Sequence, residues 1–365
     1  MKNKILIFFP REVNINAGGP AGFLAHNLED KPRDFFDFSR DLAPRKNVIQ
    51  TILYRISRFF NSLYNKQEFH KEYFKARDEF IKVKANEYKY LYFHEDIDYY
   101  RVKDLISDDQ VVIFQPHCPE IHSEEYRAYA PNNVQMYQYI QKAEKAVFER
   151  ADVVILPNPE CKPIYRTLYT KRNAFYYILS GAKSTNTSVE SVALPSDKIN
   201  LMYIGRRNKV KGFDLVIDSF RKAREHRKDI HLFVIGKGEK IQEEGISDIG
   251  FSDNPISWYN SVDYLINANR QSYFDLSIIE AVSTGVPIIM SDNLGHQYYK
   301  NKSELITTYD SNQEMALFHI LMGKLQKRDP SRQDNVLLYQ QELTDLHYYE
   351  RFKQFFNDLP SLIKN

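Results

Sequence analysis

Short apolar runs alternate along the chain with longer segments in which apolar positions recur at helical spacing. The short runs, several of which are bounded by Gly, Pro or Asn, predict buried strands, and the longer segments predict helices. The predicted strands are 4–9, 88–93, 111–114, 152–156, 201–204, 231–235, 246–251, 263–267 and 286–290. The predicted helices are 21–28, 47–84, 133–150, 213–224, a short helix that ends before 285, 314–327 and 334–356. This alternation is typical of the parallel, doubly wound sheets of α/β proteins.

A segment rich in Ser, Thr and Ala separates two such α/β units, and we interpret residues 181–200 as an interdomain linker. The units are then residues 1–180 and 201–345, followed by a C-terminal helix at 346–365. With 365 residues, the chain is long enough to give each unit its own hydrophobic core.

Composition limits the classes of function. A formal net charge of +2 lacks the strong basic excess of nucleic-acid-binding proteins, so we expect no nucleic-acid partner. Two cysteines are too few for a disulfide framework and fit a reducing compartment. The first apolar run is cut by Pro10, and no stretch approaches the roughly 20 apolar residues that a transmembrane helix needs. We therefore expect a soluble, cytoplasmic protein.

The predicted helix at 47–84 interleaves basic and apolar residues. A basic amphipathic helix can lie on an anionic membrane, which would place the protein peripherally at the inner membrane face. The same pattern also fits a helix that packs on the core by one face and exposes its charges to solvent. The sequence leaves both interpretations open.

Two loops have the features of an anion site. The first, 205–212, is basic and lies between a strand and a helix; the second precedes the short apolar helix that carries Glu280 and has Gly285 as its predicted C-cap. The N-terminus of a helix presents unpaired N–H groups, which bind anions. Two such loops in one α/β unit predict a diphosphate held between them. Gly18 and Gly19, after the first strand, would also let a phosphate or sugar approach the backbone.

Four segments of the second half occur in the order seen in a known family: YIGRRNKVKGFDLVIDSF, LFVIGKGE, DIGFSDNPISWYNSVDYLINAN and SYFDLSIIEAVSTGVPII. With them the chain resembles the GT-B glycosyltransferases, specifically the retaining family 4 (glycosyl transferases group 1). The resemblance implies two Rossmann-like domains that face each other across a cleft, with the last helix returning to the N-terminal domain. The donor would bind the C-terminal domain, and the acceptor would enter from the N-terminal side. The N-terminal half matches only in outline.

The resemblance also implies roles for single residues. Arg206 and Lys211, at the R-x4-K spacing of the family, would grip the diphosphate and stabilise the charge of the leaving group. Glu280 would accept hydrogen bonds from the ribose hydroxyls. His117 would face the donor sugar, a role for which His94 and His122 are alternatives. Further donor-binding residues are expected at Gly18, Gly19, Gly205, Phe251, Ser272, Asp275 and Leu276.

At two positions the sequence departs from the family pattern. Ser272 replaces a glutamate that would contact the donor sugar, and Asp275 replaces the glycine of Phe-Gly-Leu. A serine can still bond a sugar hydroxyl, and Asp275 could cap the following helix. An acid beside a diphosphate would nevertheless repel it, unless Arg206, Arg207 or Arg270 neutralises it. The two changes put the sugar specificity and the activity in question and are compatible with an unusual donor sugar.

On this resemblance we expect a hexosyltransferase-type enzyme of bacterial surface-polysaccharide biosynthesis. It would transfer a sugar from a nucleoside-diphosphate-sugar to a saccharide or lipid-linked acceptor, with retention and with neither a metal nor another cofactor. The alternative, motivated by Ser272 and Asp275, is a catalytically impaired binding or scaffold partner of another transferase.

Two other classes are less well supported. Asp96-Ile97-Asp98 has the D-x-D form of metal-dependent GT-A transferases, but it lies outside the domain with the phosphate-site match, and we interpret it as a solvated loop. A redox Rossmann enzyme would need a G-x-G-x-x-G that opens a βαβ unit, and this sequence has none.

Overall fold

The computed structural model of the protein describes residues 1–42, 68–184, 191–313 and 315–363. Most of the predicted basic helix, residues 47–67, lies outside the described residues. The chain divides into two compact units. The first comprises Met1–Leu156, Lys162–Ile178 and Tyr349–Asn365, and the second comprises Pro157–Cys161 and Leu179–Tyr348. The segment predicted as a linker lies in the second unit.

The first unit contains a six-stranded parallel sheet in the order β2-β1-β3-β4-β5-β6. Its strands are β1 Lys2–Phe8, β2 Phe36–Phe38, β3 Tyr88–Phe93, β4 Val111–Phe114, β5 Val153–Leu156 and β6 Ala174–Tyr177. Its helices are Gly19–Asn27, Ser39–Leu42, Glu68–Lys82, Asp96–Val102, His122–Tyr129 and Val134–Arg150, with short 3-10 turns at Ala85–Glu87 and Lys103–Leu105. The 3-10 segment Pro159–Tyr165 is shared with the second unit.

The second unit contains another six-stranded parallel sheet, in the order β12-β11-β10-β7-β8-β9. Its strands are β7 Ile199–Ile204, β8 Ile230–Ile235, β9 Ile246–Gly250, β10 Tyr264–Asn267, β11 Ile288–Ser291 and β12 Ile306–Tyr309. Its helices are Phe213–His226, Pro255–Ser261, Leu276–Thr284, Ala316–Met322 and Asp334–Leu338, with a 3-10 segment at Leu294–Tyr299 and a π-turn at Tyr339–Leu343.

The inner strands of both sheets are largely buried, and in β4, β5 and β11 every residue is buried. Such burial is expected when helices cover both faces of a parallel sheet, and it explains the continuous apolar runs. All nine predicted strands are present. The three strands that the pattern missed, β2, β6 and β12, are edge strands and none of them is fully buried. No continuous apolar run marks β2 or β12, whereas β6 has the apolar sequence AFYY and was overlooked.

The C-terminal segment contains a break that the sequence did not predict. Instead of a single helix at 334–356, a short helix and a π-turn precede Thr344, which is extended, and a long helix then runs from Asp345 to Leu362. From Tyr349 this helix belongs to the first unit, where the Phe352 ring packs 5.3 Å from Phe35 and 5.6 Å from Tyr92. No helix among the described residues has the length and apolar character needed to span a membrane.

Candidate functional site

The loop after β7 carries Arg206 and Lys211 and lies directly against the loop after β10. Gly212 has a φ of +63°, and a Cβ atom added there would lie 1.8 Å from the carbonyl oxygen of Ala268. Glycine is therefore required both by the backbone conformation and by the approach of the second loop. Gly205, at the other end of the same loop, has a φ of +149°.

Hydrogen bonds join these two loops into one site. The backbone N–H of Arg270 donates to the carbonyl oxygen of Val210 at 2.8 Å, and its guanidinium donates to the carbonyl oxygen of Lys209 at 2.7 Å. The Lys211 ammonium donates to Asp275 at 2.8 Å, at the N-terminus of the helix Leu276–Thr284. The structure thus brings together the two loops that the sequence analysis identified separately.

Asp275 lies at the N-cap position, but its carboxylate does not cap the helix. Its Oδ2 atom instead accepts hydrogen bonds from Lys211 and, at 2.6 Å, from Asn269, and it lies 3.7 Å from Nε2 of the fully buried His296. Burial opposes ionisation of Asp275, yet the charge and hydrogen bond of Lys211 outweigh burial and lower the pKa of Asp275 to about 2. The capping role suggested from the sequence was wrong, and the contacts of Asp275 with Asn269 and His296 were not predicted.

Arg207 and Arg270, two of the three arginines considered as partners of Asp275, bind other carboxylates. Arg207 forms a bidentate ion pair with Asp248, with N–O distances of 2.5 and 2.7 Å. This pair lowers the pKa of Asp248 to about 2. Arg270 binds Asp214 in the same manner, at 2.6 and 2.8 Å. These arginines fix the loops relative to each other, and the cation that neutralises Asp275 is Lys211. Arg206 is exposed.

Ser272 is fully buried. Its hydroxyl lies 2.5 Å from the side-chain oxygen and 3.1 Å from the carbonyl oxygen of Asn293, so it connects its loop to the segment after β11. The structure therefore places Ser272 in the packing of the loop and not on the surface of the site. The helix that follows keeps Glu280 partly exposed between the buried residues Ile279 and Ala281, and Leu276 packs partly buried against the core.

Phe251 follows β9 at the same edge of the sheet as the two loops. Its side chain is 63% exposed, and the Lys237 ammonium lies 5.0 Å from the centre of its ring. Ligands of open parallel sheets gather at the carboxyl ends of the strands, where all of these loops lie. An exposed aromatic ring at this edge offers a flat surface on which a ligand can stack.

In the first unit, Gly18 and Gly19 follow β1 and begin the helix Gly19–Asn27. Gly19 has a φ of +63°, and no atom of the described residues lies within 4 Å of a Cβ atom added at either glycine. Packing against neighbours therefore does not require these glycines. The open space beside them is consistent with the approach of a ligand.

His117 forms a pair with His94 at the carboxyl ends of β4 and β3. Nε2 of His117 lies 2.9 Å from Nδ1 of His94, the rings stack with centres 5.1 Å apart, and Phe23 packs on His117. Burial lowers the pKa of His117 to about 3, and burial together with the neighbouring His117 lowers the pKa of His94 well below its usual range, so both rings are neutral near pH 7. His94 is buried and contacts His117, whereas His122 pairs with Asp96. The pairing of His94 with His117 was not predicted from the sequence.

The interpretation of Asp96-Ile97-Asp98 as a solvated loop was wrong. These residues begin the helix Asp96–Val102, and both carboxylates are buried because cations pair with them. His122 binds Asp96 at 2.9 Å, and Arg11 binds Asp98 at 2.5 Å. Within the part of the chain that the structure describes, no group of three or more His, Cys, Asp or Glu side chains is placed to hold a metal ion.

The pairing of His122 with Asp96 predicts a pH-dependent stability. Burial opposes the charge of His122, but Asp96 outweighs burial and raises the pKa of His122 to about 9. Since the unfolded value is about 6.5, the contribution of the pair is fully present below about pH 6.5 and is lost as the pH rises through about 9. We expect His122→Gln to lower the melting temperature at about pH 6.5 but hardly at about pH 10, as measured by calorimetry. An equal loss at both pH values would contradict this assignment.

Comparison with known structures identifies the architecture. Sucrose-phosphate synthase from Thermosynechococcus elongatus superimposes with a TM-score of 0.62 at 16% identity, over 99% of this chain and 100% of that chain. Anabaena Alr3699/HepE in complex with UDP and glucose gives a TM-score of 0.61 at 11% identity, over 98% of this chain and 100% of that chain. The fold is GT-B.

A family match falls within the second unit of this GT-B protein. Residues 198–317, which include both loops of the site, match the family described as Glycosyl transferases group 1. The chain is 29% identical over 104 residues to the lipopolysaccharide core biosynthesis mannosyltransferase LpsB of Rhizobium meliloti, and these residues cover 24% of this chain and 30% of LpsB. It is 24% identical over 178 residues to the O-antigen biosynthesis glycosyltransferase WclY of Escherichia coli, covering 46% of this chain and 48% of WclY. The aligned segments thus span less than half the length of these relatives.

Proposed function

We propose that this protein is a glycosyltransferase that transfers a sugar from a nucleoside-diphosphate-sugar to a saccharide or lipid-linked acceptor in bacterial surface-polysaccharide biosynthesis. The observation that carries the proposal is the joined site of the second unit, in which the basic loop after β7 contacts the N-terminus of the helix Leu276–Thr284. This site lies within the segment that matches the glycosyltransferase family. The named functions of LpsB and WclY, in lipopolysaccharide core and O-antigen biosynthesis, support the polysaccharide context.

The chemistry of glycosyl transfer accounts for the residue types in this site. Negative charge develops on the departing diphosphate, and preorganised cations and N–H donors that face it lower the barrier. The planar guanidinium of Arg206 can bond two phosphate oxygens at once, and the Lys211 ammonium contributes a compact positive charge. The helix N-terminus contributes backbone N–H donors. Glu280 would accept hydrogen bonds from the vicinal ribose hydroxyls, and the exposed ring of Phe251 would stack on the base.

We also propose transfer with retention, which the resemblance to family 4 implies. The acceptor hydroxyl would attack the oxocarbenium-like sugar from the face that the diphosphate leaves, and a phosphate oxygen would take its proton. His117, neutral at physiological pH, would act as a hydrogen-bonding group toward the donor sugar and not as a cation. Neither step uses a metal ion. An inverted anomeric centre in the product, detected by NMR, would overturn this mechanism.

The alternative is a nucleotide-sugar-binding partner of another transferase with little activity of its own. The pairing of Lys211 with Asp275 is the observation that favours it, because the cation required for departure of the diphosphate is already neutralised. The presence of Arg206, Lys211 and Glu280 together favours the enzyme, since a protein that only binds the nucleotide-sugar needs fewer of the cations that stabilise a leaving group.

A thermal-shift screen tests the diphosphate site. UDP, GDP, ADP, CMP and their sugars are added without metal to the wild type, Arg206→Ala and Arg127→Ala, the last of which removes an exposed arginine of the first unit. A ligand that binds only the folded state raises the melting temperature. We expect one nucleotide series to stabilise the wild type and Arg127→Ala but not Arg206→Ala. No shift with any nucleotide would contradict the proposal.

A peripheral contact with the inner membrane face remains part of this proposal, motivated by the basic and apolar pattern of residues 47–84. Co-sedimentation with vesicles containing anionic lipid is the direct test. Failure to bind such vesicles at low ionic strength would remove the membrane contact and leave the transferase proposal intact.

A further inference from the structure

Asp275 presents one occupied and one open carboxylate oxygen at the candidate diphosphate site. Oδ2 accepts hydrogen bonds from Lys211 and Asn269, at 2.8 and 2.6 Å. Oδ1 has no hydrogen-bond partner among the described residues, and the side chain keeps 16% of its surface exposed. The two hydrogen bonds hold the carboxylate in one orientation, so its open oxygen is fixed at the N-terminus of the helix Leu276–Thr284.

The chemistry of this oxygen restricts what it can bind. An ionised carboxylate only accepts hydrogen bonds, so it repels a phosphate oxygen and attracts a hydroxyl or an ammonium group. Lys211, one hydrogen bond away, attracts the diphosphate. A ligand that satisfies both groups has a diphosphate and, next to it, a hydrogen-bond donor. A nucleoside-diphosphate-sugar has this arrangement because its sugar hydroxyls adjoin the diphosphate.

We infer that Asp275 is a specificity-determining residue for the donor: Oδ1 accepts a hydrogen bond from a hydroxyl of the donor sugar, and the same charge opposes binding of a diphosphate that lacks a sugar. This inference rests on the proposed function, because it requires a diphosphate at Lys211. It gives the aspartate at this position a function in place of the simple repulsion expected from the sequence.

The surroundings of Asp275 support a role in recognition more than a role in packing. Ser272, three residues earlier, is fully buried and bonded to Asn293, so its hydroxyl is not exposed to a ligand. Asp275 is the acid in direct contact with Lys211. His296 lies buried beside the carboxylate, 3.7 Å away, and limits its movement toward the core.

The inference predicts that removing the charge has opposite effects on two ligands. In Asp275→Asn, Lys211 is released for the diphosphate and the repulsion disappears, so a bare nucleoside diphosphate should bind about 10-fold more tightly. The nucleotide-sugar loses a hydrogen bond to a charged acceptor, so its advantage over the bare diphosphate should shrink by about 10- to 100-fold. A residue with only a structural role would weaken the binding of both ligands.

The experiment is isothermal titration calorimetry with the nucleoside diphosphate that stabilises the wild type, its nucleotide-sugar, and monodeoxy analogues of that sugar. Asp275→Asn and Asp275→Ala are compared with Asp229→Asn. This control breaks the ion pair of Asp229 with Arg227, which lies just before β8, at the amino ends of the strands. In the wild type, at least one deoxy analogue should bind about 10- to 100-fold more weakly than the parent sugar, and this measurement needs no variant. The same analogue should bind both Asp275 variants about as well as the parent does, and Asp229→Asn should behave as the wild type.

The outcomes separate this inference from the proposed function. If the wild type binds no nucleoside diphosphate, both fail. If the wild type binds one, but no deoxy analogue is penalised or the Asp275 variants bind the bare diphosphate no more tightly, the inference fails and the proposed function stands. Melting temperatures of the ligand-free variants show whether a weaker affinity reflects a loss of folded protein.

Discussion

Lys211→Met should lower the rate constant of sugar transfer by about 100- to 1,000-fold. Methionine keeps the length and most of the volume of the side chain but removes the charge that, on the proposed function, faces the developing negative charge of the diphosphate. Removing one preorganised group of this kind typically costs two to three orders of magnitude. Release of the nucleoside diphosphate from the donor, followed at saturating donor and acceptor, measures the effect.

Lys209→Met is the matched control, since this exposed lysine belongs to the same loop, and it should change the rate less than about twofold. A fall of similar size in both variants would indicate a general effect of loop charge. A rate constant that is unchanged in Lys211→Met would contradict the assignment of Lys211 to the leaving group.

The same substitution should also reduce stability, because it leaves Asp275 without its cation. The pKa of Asp275 is about 2 in the folded protein and about 3.9 in an unfolded chain, so the pair stabilises the fold above about pH 3.9 and the contribution is lost as the pH falls through about 2. At pH 7 we expect Lys211→Met to cost about 1 to 3 kcal/mol of unfolding free energy. The double variant Lys211→Met/Asp275→Asn should recover much of this stability without recovering the rate.

The sequence predicted the inner strands and the two loops well because their signals are local. An inner strand of a parallel sheet is buried on both faces and therefore apolar throughout, as in β5. The edge strands β2 and β12 lack this signal, whereas β6 is apolar in sequence although it is only partly buried, and it was missed. The loop 205–212 was identifiable because its glycines and cations stand between one strand and one helix that are adjacent in sequence.

The partners of these residues could not be predicted, because the sheet brings them together from distant positions. Lys211 and Asp275 are separated by 64 residues, and nothing near either one indicates the other. The buried aspartates of D-x-D were misjudged for the same reason, since their closest cationic partners, Arg11 and His122, come from other elements. His94 and His117 carried a usable signal: both follow strands predicted from the sequence, and the carboxyl ends of adjacent parallel strands meet at one edge.

Gly212→Ala is expected to destabilise the protein by about 3 to 5 kcal/mol, among the largest effects that a single methyl group can have. The added Cβ would lie 1.8 Å from the carbonyl oxygen of Ala268, and a φ of +63° is unfavourable for alanine. Relief of this contact requires that the loop after β7 move away from the loop after β10. Calorimetry should show a melting temperature lowered by roughly 10 °C for the transition of the second unit.

Gly250→Ala separates the contribution of the contact from that of the backbone. Gly250 has a φ of +75°, and none of the described atoms lies within 4 Å of its added Cβ, so this variant carries the conformational cost alone, about 1 to 2 kcal/mol. The difference between the two variants is therefore the cost of forcing the loops apart. Because Lys211 precedes Gly212 and binds Asp275 across the same contact, Gly212→Ala should also abolish the thermal shift caused by the nucleotide. If Gly212→Ala costs no more stability than Gly250→Ala and retains that shift, the close contact of the two loops does not form the site.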